Sequence, residues 1–325
     1  MAKVYKYRSN VVYDANHKKR DLAQLFSLEF YASNLQEMND PFEGTFSFGT
    51  ISHNEEKYTK VIQQISSLGI YSLAIDENNY PNNDLMWAHY ANAHKGFCIE
   101  YDLDVLVDNI NKDDYLGQIQ IDYTNERPLV ESNMTLNESI KSIVGKKSQS
   151  WSYEKELRLL FHTRGIKKIN NILPITGVYF GLNMDSLERQ QIIAYLKDKD
   201  VKYYQMERVY GTYDLKATEI ISKFEYSVIS INKNSVCSNY IILYHSSNKD
   251  KNSLIEFHQY LRNNINSPSN IIVIDDKEIL PILNKFSSET NSDEYKKLQK
   301  HWLLYSTFDA SDVCWVYPER LYYLS

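Results

Sequence analysis

Short apolar runs separated by polar turns dominate the first two thirds of the chain and predict a strand-rich fold. Runs of roughly four to eight apolar or alternating residues are typical of β-strands. They occupy residues 4–8, 30–33, 70–75, 97–101, 119–123, 154–161, 177–181, 201–206 and 225–231. Apolar residues at helical spacing predict helices over 84–94 and 185–198. The pattern therefore predicts an α+β fold, with helices added to a core of strands.

The last third of the chain follows a different pattern. After the polar run 232–235, residues 240–244 and 271–274 read as strands, and helical patterns cover 253–263 and begin again near 277. This alternation is typical of a small α/β unit. The sequence therefore predicts two domains, 1–231 and 236–325. Residues 245–248 read His-Ser-Ser-Asn, which is not a glycine-rich phosphate loop, so no catalytic signal is found in the second domain.

Composition narrows the class of protein. The chain has 325 residues, of which 43% are hydrophobic and 24% are charged, and its net charge of -6 argues against a protein that mainly binds nucleic-acid backbones. Its three cysteines are scattered and form no pair suited to zinc or redox chemistry. The sequence shows no apolar run typical of a signal peptide or a membrane span. We expect a cytoplasmic protein with no membrane partner.

The stretch 151–161, Trp-Ser-Tyr-Glu-Lys-Glu-Leu-Arg-Leu-Leu-Phe, is the centre of the predicted first domain. If it is extended, alternation places Glu154, Glu156 and Arg158 on one face, with apolar residues on the other. Two neighbouring carboxylates repel each other. They are therefore solvated, neutralised by a cation, or retained because a cationic intermediate needs them.

Other candidate residues lie at the ends of predicted strands and on the predicted helix. Arg8 could hold a phosphate through two hydrogen bonds, or it could be an ordinary surface arginine. The sequence 39–43, Asn-Asp-Pro-Phe-Glu, predicts a turn that could also clasp the edge of a ligand through its aromatic and carboxylate side chains. His89 and His94 are five positions apart, so they do not share a helix face, and we expect no metal site there.

Several motifs, in the same order along the chain, resemble those of the bacterial DUF2971 proteins. They are Tyr-Lys-Tyr-Arg (5–8), Tyr-Ala-Ser (31–33), Asn-Asp-Pro-Phe-Glu (39–43), Met-Trp-Ala-His-Tyr (86–90), His-Lys-Gly-Phe-Cys-Ile-Glu (94–100), Trp-Ser-Tyr-Glu-Lys-Glu-Leu-Arg (151–158) and Val-Tyr-Phe-Gly-Leu (178–182). The resemblance covers roughly residues 1–230. It indicates kinship and implies no activity.

A second resemblance is to the arginine-serine-glutamate class of mono-ADP-ribosyltransferases. Those enzymes carry an Arg on the first strand, a Ser on the second, and a Glu-x-Glu at the entrance of a later strand. Arg8, Ser33 and the Glu154–Glu156 pair occur in that order here. The resemblance implies an ADP-ribosyltransferase-like first domain with NAD as its substrate.

The resemblance also implies roles for individual residues. Glu156 would stabilise the positive charge that develops on the ribose of NAD, and Glu154 would orient or deprotonate the acceptor. NAD would be bound by Arg8 at a phosphate, by Ser33 supporting Glu156, and by Asn39 and His89. Tyr90 or Trp87 could stack on nicotinamide, although Trp87 could equally be a core residue.

Three classes of function remain open on the sequence. The first is an enzyme that consumes NAD, either transferring ADP-ribose to a protein or nucleic acid or hydrolysing NAD, with a role as a toxin-like effector or in phage defence. The second is a non-catalytic module that binds a nucleotide or signal molecule. Its second domain and aromatic tail would then contact a partner protein or another copy of the chain. The third is a metal-dependent nuclease built on Asp40, Glu43, Glu154 and Glu156.

Overall fold

The computed structural model describes residues 2–11, 19–49, 55–76, 80–196, 199–220, 224–265, 268–283, 285, 291–311 and 314–316. The chain forms two compact units. The first comprises Met1–Met184 and Asp198–Ile220, and the second comprises Asp185–Lys197 and Ile221–Ser325. Helices and strands are mixed, strand content is substantial and the strands form several sheets. The α+β class predicted from the sequence is therefore confirmed.

The first unit is built on one large sheet with smaller strand pairs beside it. Its strands are β1 (Lys3–Arg8), β2 (Glu29–Ala32), β3 (Ser47–Phe48), β4 (Gly69–Ala74), β5 (Phe97–Asp102), β6 (Tyr115–Gln120), β7 (Asp122–Thr124), β8 (Leu129–Val130), β9 (Lys146–Ser148), β10 (Glu156–Phe161), β11 (Gly165–Lys168), β12 (Ile175–Phe180), β13 (Lys202–Arg208) and β14 (Leu215–Glu219). Its helices are α1 (Arg20–Ser27), α2 (Glu55–Ser67), α3 (Asp84–Tyr90), α4 (Leu103–Asp108) and α5 (Leu136–Val144).

The large sheet has eight strands in the order β14-β13-β12-β5-β1-β4-β10-β6. Every neighbouring pair is antiparallel except β12 and β13, which are parallel. Every residue of β5 and of β10 is buried, so both faces of the central strands are covered. Any charged residue on these strands must therefore find its partners inside the protein.

The sheet splits between β1 and β4. These two strands pair at Tyr5 and Ala74, and no second pair follows. Further along β4, Ile70 instead exchanges both backbone hydrogen bonds with Ser33, which follows β2. Ser72 lies between these two pairing points, and its carbonyl oxygen accepts a hydrogen bond from Lys6 Nζ at 2.8 Å. The backbones of β1 and β4 are therefore joined at Tyr5 and Ala74 and separate beyond that point, where the Lys6 side chain spans the gap and Ser33 pairs with the far end of β4.

The central stretch differs from the prediction at its entrance. Residues Gln149–Glu154 form a 3-10 helix, and Lys155 adopts a left-handed conformation with φ of 44°. The strand begins only at Glu156. Glu154 therefore precedes the strand and is brought beside Glu156 by a turn, rather than by strand alternation.

The helix predicted over 84–94 also ends early, at Tyr90. Asn92, Ala93 and His94 all have positive φ values, between 50° and 65°. Three consecutive left-handed residues cannot continue a right-handed helix, and without glycine they carry a conformational cost.

The second unit is a five-stranded sheet with helices. Its elements are α6 (Ser186–Leu196), β15 (Tyr226–Lys233), β16 (Ser238–Tyr244), α7 (Lys251–Asn264), β17 (Ser269–Ile274), a 3-10 helix (Lys277–Ile282), α8 (Ser292–His301), β18 (Trp302–Ser306) and β19 (Trp315–Val316). The strands follow one another in chain order, and β16 and β17 are parallel and joined through α7. The predicted α/β character of this part of the chain is present.

The division between the units differs from the predicted domains. The stretch predicted to complete the first domain, 225–231, corresponds to β15, which pairs with β16 in the second unit. The polar run 232–235 forms the end of β15 and the start of the hairpin turn, where Asn234 Oδ1 accepts hydrogen bonds from the backbone N–H groups of Val236 and Cys237. Polar turn residues mark hairpins as well as linkers, so composition did not distinguish the two.

Candidate functional site

A cleft of about 180 Å³ opens where β1 and β4 separate. Five of the residues singled out in the sequence line it. They are Ser33, Asn39, Tyr90, Glu154 and Glu156. Its other lining residues come mainly from β1, from β4 and from the segment after β2. These are Tyr5, Lys6, Tyr7, Glu37, Met38, Ser72, Leu73, Ala74, Met86 and Lys147.

The other three predicted site residues are not among the lining residues of this cleft. Arg8 is buried, lies 3.5 Å from Asp21 in an ion pair and donates a hydrogen bond to the hydroxyl of Tyr71. Its charge is therefore already partnered within the protein. This placement differs from the phosphate contact that the sequence suggested.

Trp87 and His89 lie on α3 but have partners within the protein. Trp87 is fully buried, donates its indole N–H to the carbonyl of Pro81 and meets the ring of Tyr7 edge to face. His89 Nδ1 lies 2.9 Å from the hydroxyl of Tyr153. Trp87 thus has the core position that was the alternative interpretation of this residue.

A network of buried charges forms one wall of the cleft. Lys147 Nζ lies 2.6 Å from Glu154 Oε2, 3.4 Å from Glu156 Oε2 and 3.9 Å from Glu43 Oε2. Arg158 donates to Glu156 Oε1 from Nε at 2.8 Å and to Glu156 Oε2 from a terminal nitrogen at 3.1 Å. Its other terminal nitrogen donates to Glu43 Oε1 at 2.8 Å. Three buried carboxylates therefore share two cations.

The members of the network come from three separate segments of the chain. Arg158 and Glu156 point to the same face of β10, and Lys147 is supplied by β9. Glu43 lies in the turn predicted from the sequence, in which Asp40 Oδ1 accepts a hydrogen bond from the backbone N–H of Phe42 at 2.9 Å. The network thus depends on long-range packing of three separate segments.

The two carboxylates of the central stretch are in different electrostatic environments. Burial raises the pKa of Glu156, but the Arg158 charge and hydrogen bonds, with Lys147, outweigh burial and lower it to about 2. Burial also raises the pKa of Glu154, and Lys147 and Tyr90 offset this only in part, so the net shift is upward. The Tyr90 hydroxyl donates a hydrogen bond to Glu154 Oε1 and also forms a hydrogen bond with the Asn39 side chain. The ionised form of Glu156 is therefore favoured, whereas burial favours the protonated form of Glu154.

Lys6 is a lining residue that the sequence did not single out. Its ammonium group lies 4.8 Å from the centre of the Tyr71 ring, besides its bond to Ser72. Burial, followed by the nearby charge of Arg8, lowers the pKa of Lys6 to about 7. The cleft therefore contains an amine that is partly neutral at physiological pH.

Ser72 and Lys147 were also missed by sequence reasoning. The serine that donates a hydrogen bond to Glu156 is Ser72 on β4, whereas the hydroxyl of Ser33 donates to the carbonyl of Ile70 at 3.3 Å. The alternation of strand 70–75 could have shown that Ser72 shares a face with Ala74. No local pattern marks Lys147, because its contacts with Glu154 and Glu156 depend on how the chain folds back between β9 and β10, and Glu43 is distant in sequence.

Within the described residues, no group of three or more His, Cys, Asp or Glu side chains is arranged to hold a metal ion. Glu43, Glu154 and Glu156 do meet, but Lys147 and Arg158 supply the positive charge among them. The nuclease hypothesis therefore gains no support. No helix among these residues is both long and apolar enough to cross a membrane.

Comparison with known proteins adds one finding. Residues 86–159 match the profile of the family DUF2971, described as a protein of unknown function. The matched segment contains most of α3, together with Lys147, Glu154, Glu156 and Arg158, so it supports the resemblance to this family for a central part of the chain. No curated protein and no solved structure matches the chain.

Proposed function

We propose that the cleft binds NAD and cleaves the bond between nicotinamide and ribose, transferring ADP-ribose to an acceptor or to water. The observation that carries this proposal is the pair of carboxylates, Glu154 and Glu156, which line one cleft with pKa values displaced in opposite directions. Such separation is typical of sites where one group acts as a fixed charge and the other exchanges a proton. It is also consistent with the resemblance to ADP-ribosyltransferases.

The charge of the network supports a cationic ligand. Among the described residues, Glu43, Glu154 and Glu156 form ion pairs with Lys147 and Arg158, so these five side chains carry one excess negative charge when all are ionised. Lys6 also lines the cleft and interacts with Glu154 and Glu156, but its lowered pKa makes its compensating charge partial. A buried excess charge is costly unless it is compensated. The nicotinamide ring of NAD carries one positive charge and would compensate it beside the aromatic rings of Tyr5, Tyr7 and Tyr90.

The proposed step follows from these positions. As the carbon–nitrogen bond to nicotinamide breaks, the bond electrons leave with the ring and positive charge develops on the ribose. Glu156, ionised and held rigidly, stabilises this charge more in the transition state than in the ground state. Glu154 accepts the proton of the attacking water or acceptor group. The products are nicotinamide, the ADP-ribosyl product and one proton.

The volume of the cleft is consistent with one end of the dinucleotide. A cavity of about 150 Å³ holds a benzene molecule, so about 180 Å³ accommodates the nicotinamide ring and part of the ribose. The remainder of NAD would extend beyond the cleft. Because uncontrolled consumption of NAD harms a cell, an enzyme of this kind would serve as a toxin-like effector or in phage defence.

A specific observation favours a second candidate, a module that binds a nucleotide without cleaving it. Both oxygens of Glu156 accept hydrogen bonds from Arg158, so part of the charge needed to stabilise a ribosyl cation is already neutralised. A binding module would still use the excess charge of the network to recognise a cationic ring. A binding module would release no nicotinamide, so the carboxylate substitutions would change only its affinity for the ligand.

The two candidates are separated by following NAD with the purified protein by proton NMR, with and without cell lysate as a source of acceptors. We expect release of nicotinamide by the wild type, and lysate-dependent release would indicate transfer rather than hydrolysis. Glu154→Gln should retain NAD binding while release falls by about 100-fold or more. Glu207→Gln, which changes a half-buried residue paired with Lys216 on the neighbouring strand, is the matched control.

Glu156→Gln tests whether the charge of Glu156 stabilises the developing ribosyl cation. The substitution also removes a charged partner of Arg158, so the melting temperature of the variant must be measured as well. Loss of release in a folded Glu156→Gln variant supports the enzyme. NAD binding without release in the wild type would favour the binding module. Full activity of both carboxylate variants would contradict the proposed chemistry.

A further inference from the structure

A second cavity, of about 260 Å³, lies on the other side of the charge network. Lys147 lines both this cavity and the cleft. The second cavity is formed by the turn after Asn39, by the loop between β7 and β8, and by β9. Its lining residues are Asp40, Phe42, Glu43, Thr45, Thr124, Asn125, Glu126, Arg127, Pro128, Lys146, Lys147 and Ser148.

The buried wall of this cavity contains a hydrogen-bond acceptor without a donor. The Glu43 side chain is only 1% exposed, and its Oε1 accepts from Arg158 at 2.8 Å. Glu43 Oε2 makes no hydrogen bond to any described residue, and the Lys147 ammonium is 3.9 Å away. A buried carboxylate oxygen in this state favours a ligand that donates a hydrogen bond.

The more exposed part of the cavity has the opposite character. Phe42 is 58% exposed, and the guanidinium of Arg127 lies 5.7 Å from the centre of its ring. Neither Arg127 nor Lys146 forms an ion pair with a described residue. An exposed aromatic ring beside one such cation, with a second cation lining the same cavity, is suited to stacking of a base and binding of a phosphate.

The ligand must therefore combine two kinds of group. A guanidinium or simple amine would pair with Glu43 but would be repelled by Arg127 and Lys146. A simple anion would pair with those cations but would be repelled by Glu43. A nucleotide carries hydrogen-bond donors on the edge of its base, an aromatic face and a negatively charged phosphate, so it matches all three features.

We propose that the second cavity binds a nucleotide with an amino-bearing base, which stacks on Phe42 and donates its amino hydrogen to Glu43 Oε2. Arg127 and Lys146 hold the phosphate. The same chemistry is found in a separate nucleotide and in the adenylate half of a dinucleotide. This proposal concerns binding alone, so it does not require that NAD be cleaved in the cleft.

Isothermal titration of the full chain with AMP, CMP and UMP tests the site. We expect AMP and CMP to bind at least about tenfold more tightly than UMP, because the carbonyl groups of uracil would face the Glu43 carboxylate. Phe42→Ala should weaken binding of AMP and CMP by about tenfold. The double variant Arg127→Ala, Lys146→Ala should weaken it further and reduce its dependence on salt. All three substituted residues are outside the buried core.

Matched controls and a competition complete the experiment. Phe308→Ala, an aromatic residue of similar exposure in the second unit, should bind AMP as the wild type does. Glu43→Gln should reduce the preference for CMP over UMP; if this variant does not fold, the wild-type ratio decides the role of Glu43. Displacement of AMP by NAD would identify the adenylate half as the occupant, and simultaneous binding would identify a separate nucleotide.

Three results would overturn the proposal. The first is an absence of saturable binding of AMP and CMP at millimolar concentrations. The second is binding that neither the Phe42 variant nor the double variant weakens, or that does not distinguish CMP from UMP. The third is binding of L-argininamide in place of nucleotides. Each result concerns affinity, so each can be distinguished from an absence of NAD turnover.

Discussion

Each unit of the protein holds a polar cluster around an arginine, and the two clusters differ in what surrounds the cation. Arg158 in the first unit is fully buried, and carboxylates are among its partners. Arg262 in the second unit donates to His258, to the hydroxyls of Ser269 and Ser306, and to the carbonyls of Ser269 and Thr307. Its hydrogen-bond partners carry no formal negative charge.

The difference shows that burial of polar groups does not by itself identify a functional site. The cluster around Arg158 forms a wall shared by two cavities, carries an excess charge and leaves Glu43 Oε2 without a donor. The cluster around Arg262 lines neither cavity, and its hydrogen bonds join α7 to β17 and β18. We interpret the first as a ligand site and the second as a structural support.

The largest expected contrast is in NAD turnover. Glu154→Gln should reduce nicotinamide release by about 100-fold or more, because the proton acceptor is lost. His258→Gln, a comparable change in the second cluster, should leave release within twofold of the wild type. Release would be measured by proton NMR on protein of verified melting temperature. An equal loss in both variants would remove the functional distinction between the clusters.

The next contrast is in stability. Arg158→Met leaves two buried carboxylates without their principal cation and should lower the free energy of unfolding by about 3–5 kcal/mol. Arg262→Met leaves neutral acceptors unpaired and should cost about 1–3 kcal/mol. Urea unfolding measures the change in the free energy of unfolding of each variant. Hydrogen exchange shows whether backbone protection is lost in β10 or in β17. A larger loss for Arg262→Met would contradict the comparison.

A smaller effect is expected from the pH dependence of stability. In the folded chain Lys6 loses its proton near pH 7, and in the unfolded chain it does so near pH 10.4. Between these values the unfolded chain binds more protons. The free energy of unfolding of the wild type should therefore rise with pH relative to Lys6→Met, by at most about 1.4 kcal/mol per pH unit.

Urea unfolding of wild type and Lys6→Met at several pH values between 7 and 10 measures this slope. Lys60→Met, which changes an exposed lysine paired with Glu56 on α2, is the matched control and should show no such slope. Parallel curves for the wild type and Lys6→Met would show that burial does not lower the pKa of Lys6.

The smallest predicted effect concerns single hydroxyl groups. Ser72→Ala removes a hydrogen bond to Glu156 worth about 1 kcal/mol, so nicotinamide release should fall by roughly fivefold and the pKa of Glu156 should rise. Ser269→Ala removes a hydroxyl that accepts from Arg262 and should not change release. Unchanged release in Ser72→Ala would show that this serine does not support Glu156.

Much of the fold was accessible from the sequence because its signals are local. The alternating stretches near residues 4–8, 70–75 and 97–101 became β1, β4 and β5, since half-buried and buried strands require those apolar patterns. The turn at 39–43 was also predicted, because Asn, Asp and Pro bias the backbone locally. The α+β class followed from the number and spacing of such segments.

The partners of the carboxylates could not be predicted in the same way. Lys147 and Glu43 meet Glu154 and Glu156 through packing of separate segments, and no local pattern records that contact. The turn at Lys155 was missed because a left-handed residue within a strand-like sequence has no compositional signature when it is not glycine. The hairpin at 232–235 was mistaken for a linker for the related reason that both are polar.

The position of α6 has a consequence for synthesis of the protein. This helix connects β12 to β13 of the first unit, yet it belongs to the second, where Ser186 meets Tyr240 and Arg189 donates to the carbonyl of Asn264. During synthesis, α6 therefore leaves the ribosome before Tyr240 and Asn264, the residues that it contacts, have been translated. A fragment ending at residue 220 would carry a helix that lacks its packing surface, and one beginning at residue 221 would lack that helix. Separating the units by a single cut therefore damages both. Expressing the first unit intact would require replacing α6 by a linker, and expressing the second would require joining α6 to the segment that begins at residue 221.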